Sequence, residues 1–192
     1  MAYEQKNYDG ILGLEGFSDA LLKNHFGLYG GYVANTNKLA DTLAAMGMEG
    51  KAGTPEYAEL KRRFGWEFNG MRLHELYFGN MKKGGAKMEE GSPLHKKMLE
   101  DFGSYENWEK DFRATGGMRG IGWVILYYDK IGMKLFNCWV NEHDVGHLSG
   151  CVPLLVMDVF EHAFMLEYGK KPDYINAFMK AADWEAVGKR FG

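Results

Sequence analysis

A chain of 192 residues that is 46% apolar and 15% aromatic has ample material for a packed interior, which excludes an intrinsically disordered protein. Its formal net charge of −3 excludes the concentrated basic face of a nucleic-acid-binding protein, and no apolar run approaches the roughly 18 residues of a membrane span. Two cysteines, Cys138 and Cys151, make no disulfide framework. Residues 1–10 carry neither a basic nor an apolar signal region, so a cytoplasmic protein is expected.

From residue 16 to about 46 the pattern is helical: Leu21, Leu22, His25, Leu28, Tyr29, Tyr32 and Val33 recur at three- and four-residue steps. Gly27, Gly30 and Gly31 weaken that helix, and glycines kept inside one often mark the close approach of another backbone. Thr54 as N-cap with Pro55 behind it starts a second helix, expected to run to about Met81, and two antiparallel helices are the natural pairing. Residues 82–92 (KKGGAKMEEGS) form the candidate linker, and Ser92-Pro93 and Ser104 each open a further helix. The period then changes. GWVILYYD and MKLFNCWV are apolar, β-branched and aromatic runs around a short turn, which predicts a β-hairpin. Helical text is expected again at 158–168, at 172–181 and after Asp183. The fold class is therefore α+β: an N-terminal long-helix hairpin domain, 1–84, followed by a C-terminal α/β domain, 93–192, with a small antiparallel sheet.

Six histidines are present. His25 and His74 sit in the middle of the two long helices among apolar and aromatic residues. His162 follows Asp158 by four residues in LLVMDVFEHAF, and on a helix such a step places both side chains on one face. A carboxylate in apolar text is costly unless paired or metal-bound, so Asp158 and His162 make a metal half-site. A histidine in an apolar helix also serves as a hydrogen-bonded core residue, and spacing alone leaves the two readings open.

The segment DVFEHAFMLEYGKKPDYINAF resembles the C-terminal signature of the iron/manganese superoxide dismutases. KNHFGLYGGYVANTNKL looks like the first metal-binding helix of that family, LHELYFGN like its second and GIGWVILYYD like its first strand, in the family's order. The resemblance implies that His25, His74, Asp158 and His162 hold one iron or manganese ion per subunit together with a solvent molecule. It also implies that the metal cycles between two oxidation states to disproportionate superoxide into oxygen and hydrogen peroxide. Tyr32 matches the family's gateway tyrosine, although as a residue it is equally a core aromatic. Trp123 and Tyr77 match pocket aromatics under the same reservation. Glu161 matches a residue that crosses a homodimer interface to the partner's metal-bound histidine.

The chain departs from the family pattern in several places. The family's glutamine beside the metal-bound solvent is missing: Gly70, four residues before His74, leaves room but offers no donor. His143, in VNEHDVGHL, stands at the alternative place and would donate to that solvent, with His147 as its rival. Phe160 replaces a tryptophan. A histidine–tyrosine bridge between subunits is expected to be absent, with Met165 in the tyrosine's place, and Lys171 stands where an arginine at the substrate funnel is common. Two other functions compete: a mononuclear zinc hydrolase, which needs a general base near the metal, and a non-catalytic interaction module.

Overall fold

Ser18 starts the first long helix: its hydroxyl accepts from Leu21 N–H, and α1 runs Asp19–Met48. In the computed structural model, which describes residues 2–192, the buried face of α1 includes Leu21, His25, Tyr29, Val33 and Thr36, spaced by the helical period. Thr54 caps α2, Pro55–Phe78, with Pro55 in the first turn. Phe78 locks the hairpin by packing its ring against Phe26 and Tyr29, at centroid distances of 5.0 and 6.0 Å. α2 ends at Phe78, three residues short of the expected Met81, on the cap Gly79. Of Gly27, Gly30 and Gly31, only Gly30 meets a neighbour, and that is the Gln5 side chain of the N-terminal segment; Gly27 and Gly31 face open space, so the expected backbone approach holds for none of the three.

Residues 82–92 connect the halves and are themselves pinned. Lys82 N–H bonds Ala181 O at 2.9 Å, and Ala86 N–H bonds Ala182 O at 2.9 Å. Serine-capped helices α3, Pro93–Phe102, and α4, Tyr105–Gly116, follow. The hairpin comprises β1, Gly122–Asp129, and β2, Lys134–Asn141, in register from Gly122 opposite Asn141 to Asp129 opposite Lys134. β1 is the central strand of a three-stranded antiparallel sheet in the order β2-β1-β3. Val124, Ile125 and Leu126 have no exposed surface, which is why β1 is an unbroken apolar run rather than an alternating one. Two helices close the chain: α5, Lys171–Ala181, and α6, Trp184–Phe191.

The third strand corrects the expected helix at 158–168. Val152–Asp158 form β3, paired along β1. After it comes a single 3-10 turn, Glu161–Ala163, rather than an α-helix. Pairing with β1 satisfies the backbone of VPLLVMD while burying Leu154, Leu155, Val156 and Met157 completely, which a two-sided apolar segment favours. Asp158 then closes the strand, its Oδ1 accepting the Phe160 N–H at 2.8 Å in an Asx turn.

Candidate metal centre

Four side chains from four segments converge. His25 comes from the second turn of α1 and His74 from the last turns of α2, each nearer a helix end than the expected middle, Asp158 from the end of β3 and His162 from the 3-10 turn. One ligand atom from each lies within 4.8 Å of all the others. Asp158 Oδ2 is the hub, at 3.2 Å from His25 Nε2, 3.7 Å from His74 Nε2 and 3.3 Å from His162 Nε2. The i,i+4 argument reached the right pair by a different route: Asp158 and His162 meet through a strand end and a tight turn, not along a helix face.

Donor chemistry identifies what the cluster holds. His74 Nδ1 lies 2.6 Å from Gly70 O, and a carbonyl only accepts, so Nδ1 carries the proton and Nε2 presents a lone pair. That Nε2 is the one buried side-chain nitrogen or oxygen among the described residues without a hydrogen-bond partner. A buried orphan acceptor aimed at a carboxylate is costly for a protein but suits a cation placed between them. Burial pushes the His25 and His74 imidazoles below their ordinary value and holds them neutral. Burial alone would raise the Asp158 carboxyl, but the facing His162 and His25 rings outweigh it and keep it ionised. Burial opposes a proton on His162, yet its attraction to Asp158 wins and raises its pKa. Three imidazoles and one carboxylate fit a first-row metal ion.

The surroundings hold these ligands in place. Tyr174 Oη donates to Asp158 O at 2.6 Å, and its oxygen lies 3.1 Å from that of Tyr77. Beside His74, the buried Glu75 collects Tyr29 Oη, Lys6 Nζ and Arg72 Nη1 at 3.1, 3.0 and 2.6 Å, joining both long helices and the N-terminal segment. Neither arrangement was visible in sequence, although Pro172-Asp173-Tyr174 belongs to the quoted signature.

Tyr32 and His143 lie over one side of the cluster. The Tyr32 ring stacks on His74 at a centroid distance of 5.1 Å and fills the space above Gly70, where a Cβ would stand 2.6 Å from its Cδ1. His143 is fully buried, and both its nitrogens are engaged. Trp123 Nε1–H donates to Nδ1 at 3.0 Å, so in the neutral ring Nε2 bears the proton and donates to Tyr32 Oη at 2.8 Å. The expected donation from His143 to solvent is thereby redirected, because its single N–H is spent on Tyr32. His147 lies behind, donating from Nε2 to His143 O at 2.9 Å and accepting from Tyr127 Oη at 2.7 Å. Phe160 stacks between His143 and His162, at 4.8 and 5.1 Å. Lys171 does not stand free at a funnel mouth: its Nζ donates to Met118 O and Gly120 O at 3.0 and 2.7 Å. Trp66, absent from the sequence reading, packs on both Tyr32 and His143, at 5.5 and 4.5 Å. The signal was present, because Trp66, Gly70 and His74 share one face of α2 at four-residue steps.

Comparison with known proteins agrees with this geometry. Residues 89–190 match the family model described as iron/manganese superoxide dismutases, C-terminal domain. The chain is 38% identical to "Superoxide dismutase [Fe]" of Aquifex pyrophilus over 98% of this chain and 90% of that protein. It is 37% identical to "Superoxide dismutase [Mn] 2" of Haloferax volcanii, over 84% and 79%, and 36% identical to "Superoxide dismutase [Fe]" of Cupriavidus metallidurans, over 93% and 90%. With its ligand cluster, its sheet and its sequence in agreement from end to end, the chain belongs to the iron/manganese superoxide dismutase family.

Proposed function

We infer that this chain is a superoxide dismutase, converting two superoxide anions and two protons into one oxygen and one hydrogen peroxide at a single iron or manganese ion held by His25, His74, Asp158 and His162. The observation that carries this reading is the orphaned His74 Nε2 facing an ionised, buried Asp158. When bound, the ion supplies a one-electron couple that accepts an electron from one superoxide and returns one to the next.

The chain's own residues manage charge and protons. One carboxylate and three imidazoles give the pocket a single formal negative charge, which suits a di- or trivalent ion. Tyr32 keeps its proton: burial, reinforced by the negative Asp158, pushes its pKa well above the ordinary value. Because Tyr32 Oη accepts from His143 Nε2, its own hydrogen is free to point into the site and to be given to a nascent peroxide. Trp123 fixes the His143 tautomer that makes this possible. A zinc hydrolase would need a free general base here. His143 offers none, because Trp123 occupies its only lone pair.

A homodimer completes this reading. Glu161 is exposed beside His162, and exposed Met165 and Leu166, at 62% and 66%, flank it, an apolar edge that suits an isologous contact. The helical unit 1–84 and the α/β unit 93–192 each supply two ligands, so the metal staples two domains. Among the described residues no helix is long and apolar enough to cross a membrane, and a cytoplasmic location suits two free thiols. Substitution Asp158→Ala tests the assignment. After dialysis it is expected to retain no iron or manganese while the native protein keeps one ion per chain, and full retention by the variant would remove Asp158 from the site.

A further inference from the structure

The ligand cluster has two sides that are not sealed. His25, His74 and Asp158 are buried, but the His162 side chain is 22% exposed, and Tyr32 is half-buried on the opposite side. In the dimer proposed above, Glu161 and its neighbours cover His162, which leaves the half-buried side at Tyr32. Trp66, itself half-buried, packs on Tyr32 there. Along one face of α2, the Tyr32 ring lies on Gly70 with Trp66 on one side and His74 on the other, at 5.5 and 5.1 Å.

Two further contacts hold the indole down. Its Nε1–H donates to Glu142 Oε2 at 3.2 Å, reaching from α2 to the loop that carries His143. On the same ring lies the Arg63 guanidinium, 3.9 Å from the centroid and paired with the buried Glu67. Glu142 adopts a left-handed backbone, φ 49°, a conformation that a glutamate adopts at a cost and that glycine adopts freely. Its turn is closed by Asn141 and Val145, whose backbones exchange hydrogen bonds at 2.7 and 3.3 Å. A strained residue whose carboxylate reaches an indole above a reactive pair points to a role for that contact.

We propose that Trp66, tied by Glu142 and overlaid by Arg63, is the specificity-determining roof of the site: it admits small anions past Tyr32 and excludes larger ones. The proposal rests on the metal site inferred above, and it concerns access rather than electron transfer.

The test uses the metal-loaded protein and three anions of increasing size, fluoride, azide and benzoate, with binding read from the visible absorption of the metal. Trp66→Ala opens a space the size of an aromatic ring. Benzoate is expected to bind it at least about tenfold more tightly than the native protein, while fluoride affinity changes by less than about twofold. Trp66→Phe and Glu142→Gly are expected to lie between. Glu142→Gly relieves the left-handed strain and keeps the indole, so it carries the test if Trp66→Ala does not hold metal. Equal shifts for all three anions, or no shift for benzoate in either Trp66→Ala or Glu142→Gly, would overturn the roof. The expected size dependence in a protein that leaves superoxide decay unaccelerated would support the roof and overturn the dismutase reading.

Discussion

Substitution Gly70→Ala probes the closest packing over the metal centre. The added methyl would stand 2.6, 2.8 and 3.0 Å from Tyr32 Cδ1, Cε1 and Cγ. Ordinary contact begins at 3.4 Å, so the ring must retreat by about 0.8 Å. It has little freedom to do so, because Trp66 and His74 pack on it and Oη is held by His143 at 2.8 Å. Alanine gains about 1 kcal/mol over glycine in a helix. Overpacking costs about 2 kcal/mol, and stretching the Tyr32–His143 hydrogen bond costs about 1 kcal/mol more. The net loss is about 2 kcal/mol, a fall in Tm of roughly 4–8 °C for a chain of this size. Thermal unfolding of the metal-loaded protein measures the first effect, and superoxide decay measures the second, because a displaced Tyr32 delivers its proton less well. A variant that melts at or above the native temperature with its activity intact would refute the wedge between Tyr32 and Gly70.

Substitution His143→Gln is expected to keep fold and metal but shift the reduction potential, measured by redox titration, whereas His147→Gln, whose ring lies behind the loop, is expected to leave it unchanged; the reverse pattern would exchange their roles. Glu161→Ala is expected to weaken the dimer and loosen the metal together, checked by sedimentation and metal content, and a native protein that is monomeric at micromolar concentration would contradict the proposed interface. His143 also predicts a pH dependence. Burial lowers its pKa from 6.5 to about 4, so the unfolded chain takes up a proton in that window while the folded one does not. Its contribution is complete above pH 6.5 and declines as pH falls toward 4, by about 3 kcal/mol in all. Urea unfolding of the metal-free native protein and of His143→Gln is expected to show a stability difference that varies across this window, and a pH-independent difference would contradict it.

The long helices were legible because their apolar periods, and for α2 the cap Thr54 followed by Pro55, are local signals; the Ser18 cap of α1 was equally local but went unread. The hairpin was legible because its two apolar runs flank a short turn. β3 was not: a fully buried strand and a buried helix present the same apolar text, and only pairing with β1 decides between them. The four ligands were named from a sequence pattern, but their convergence depends on tertiary contacts such as Tyr174 to Asp158 O, which no spacing encodes. The redirection of His143 was hidden for a similar reason. An imidazole has one N–H in its neutral form, and which partner receives it depends on Trp123, twenty residues earlier in the chain.

The most direct test follows superoxide decay by ultraviolet absorbance with the protein carrying one equivalent of iron or manganese. With one of these metals, decay is expected to be catalytic, with a rate constant approaching the diffusional range of about 10⁸–10⁹ M⁻¹s⁻¹, and the metal-free protein is expected to be inert. Decay no faster than in buffer, with either metal bound at one ion per chain, would contradict the account.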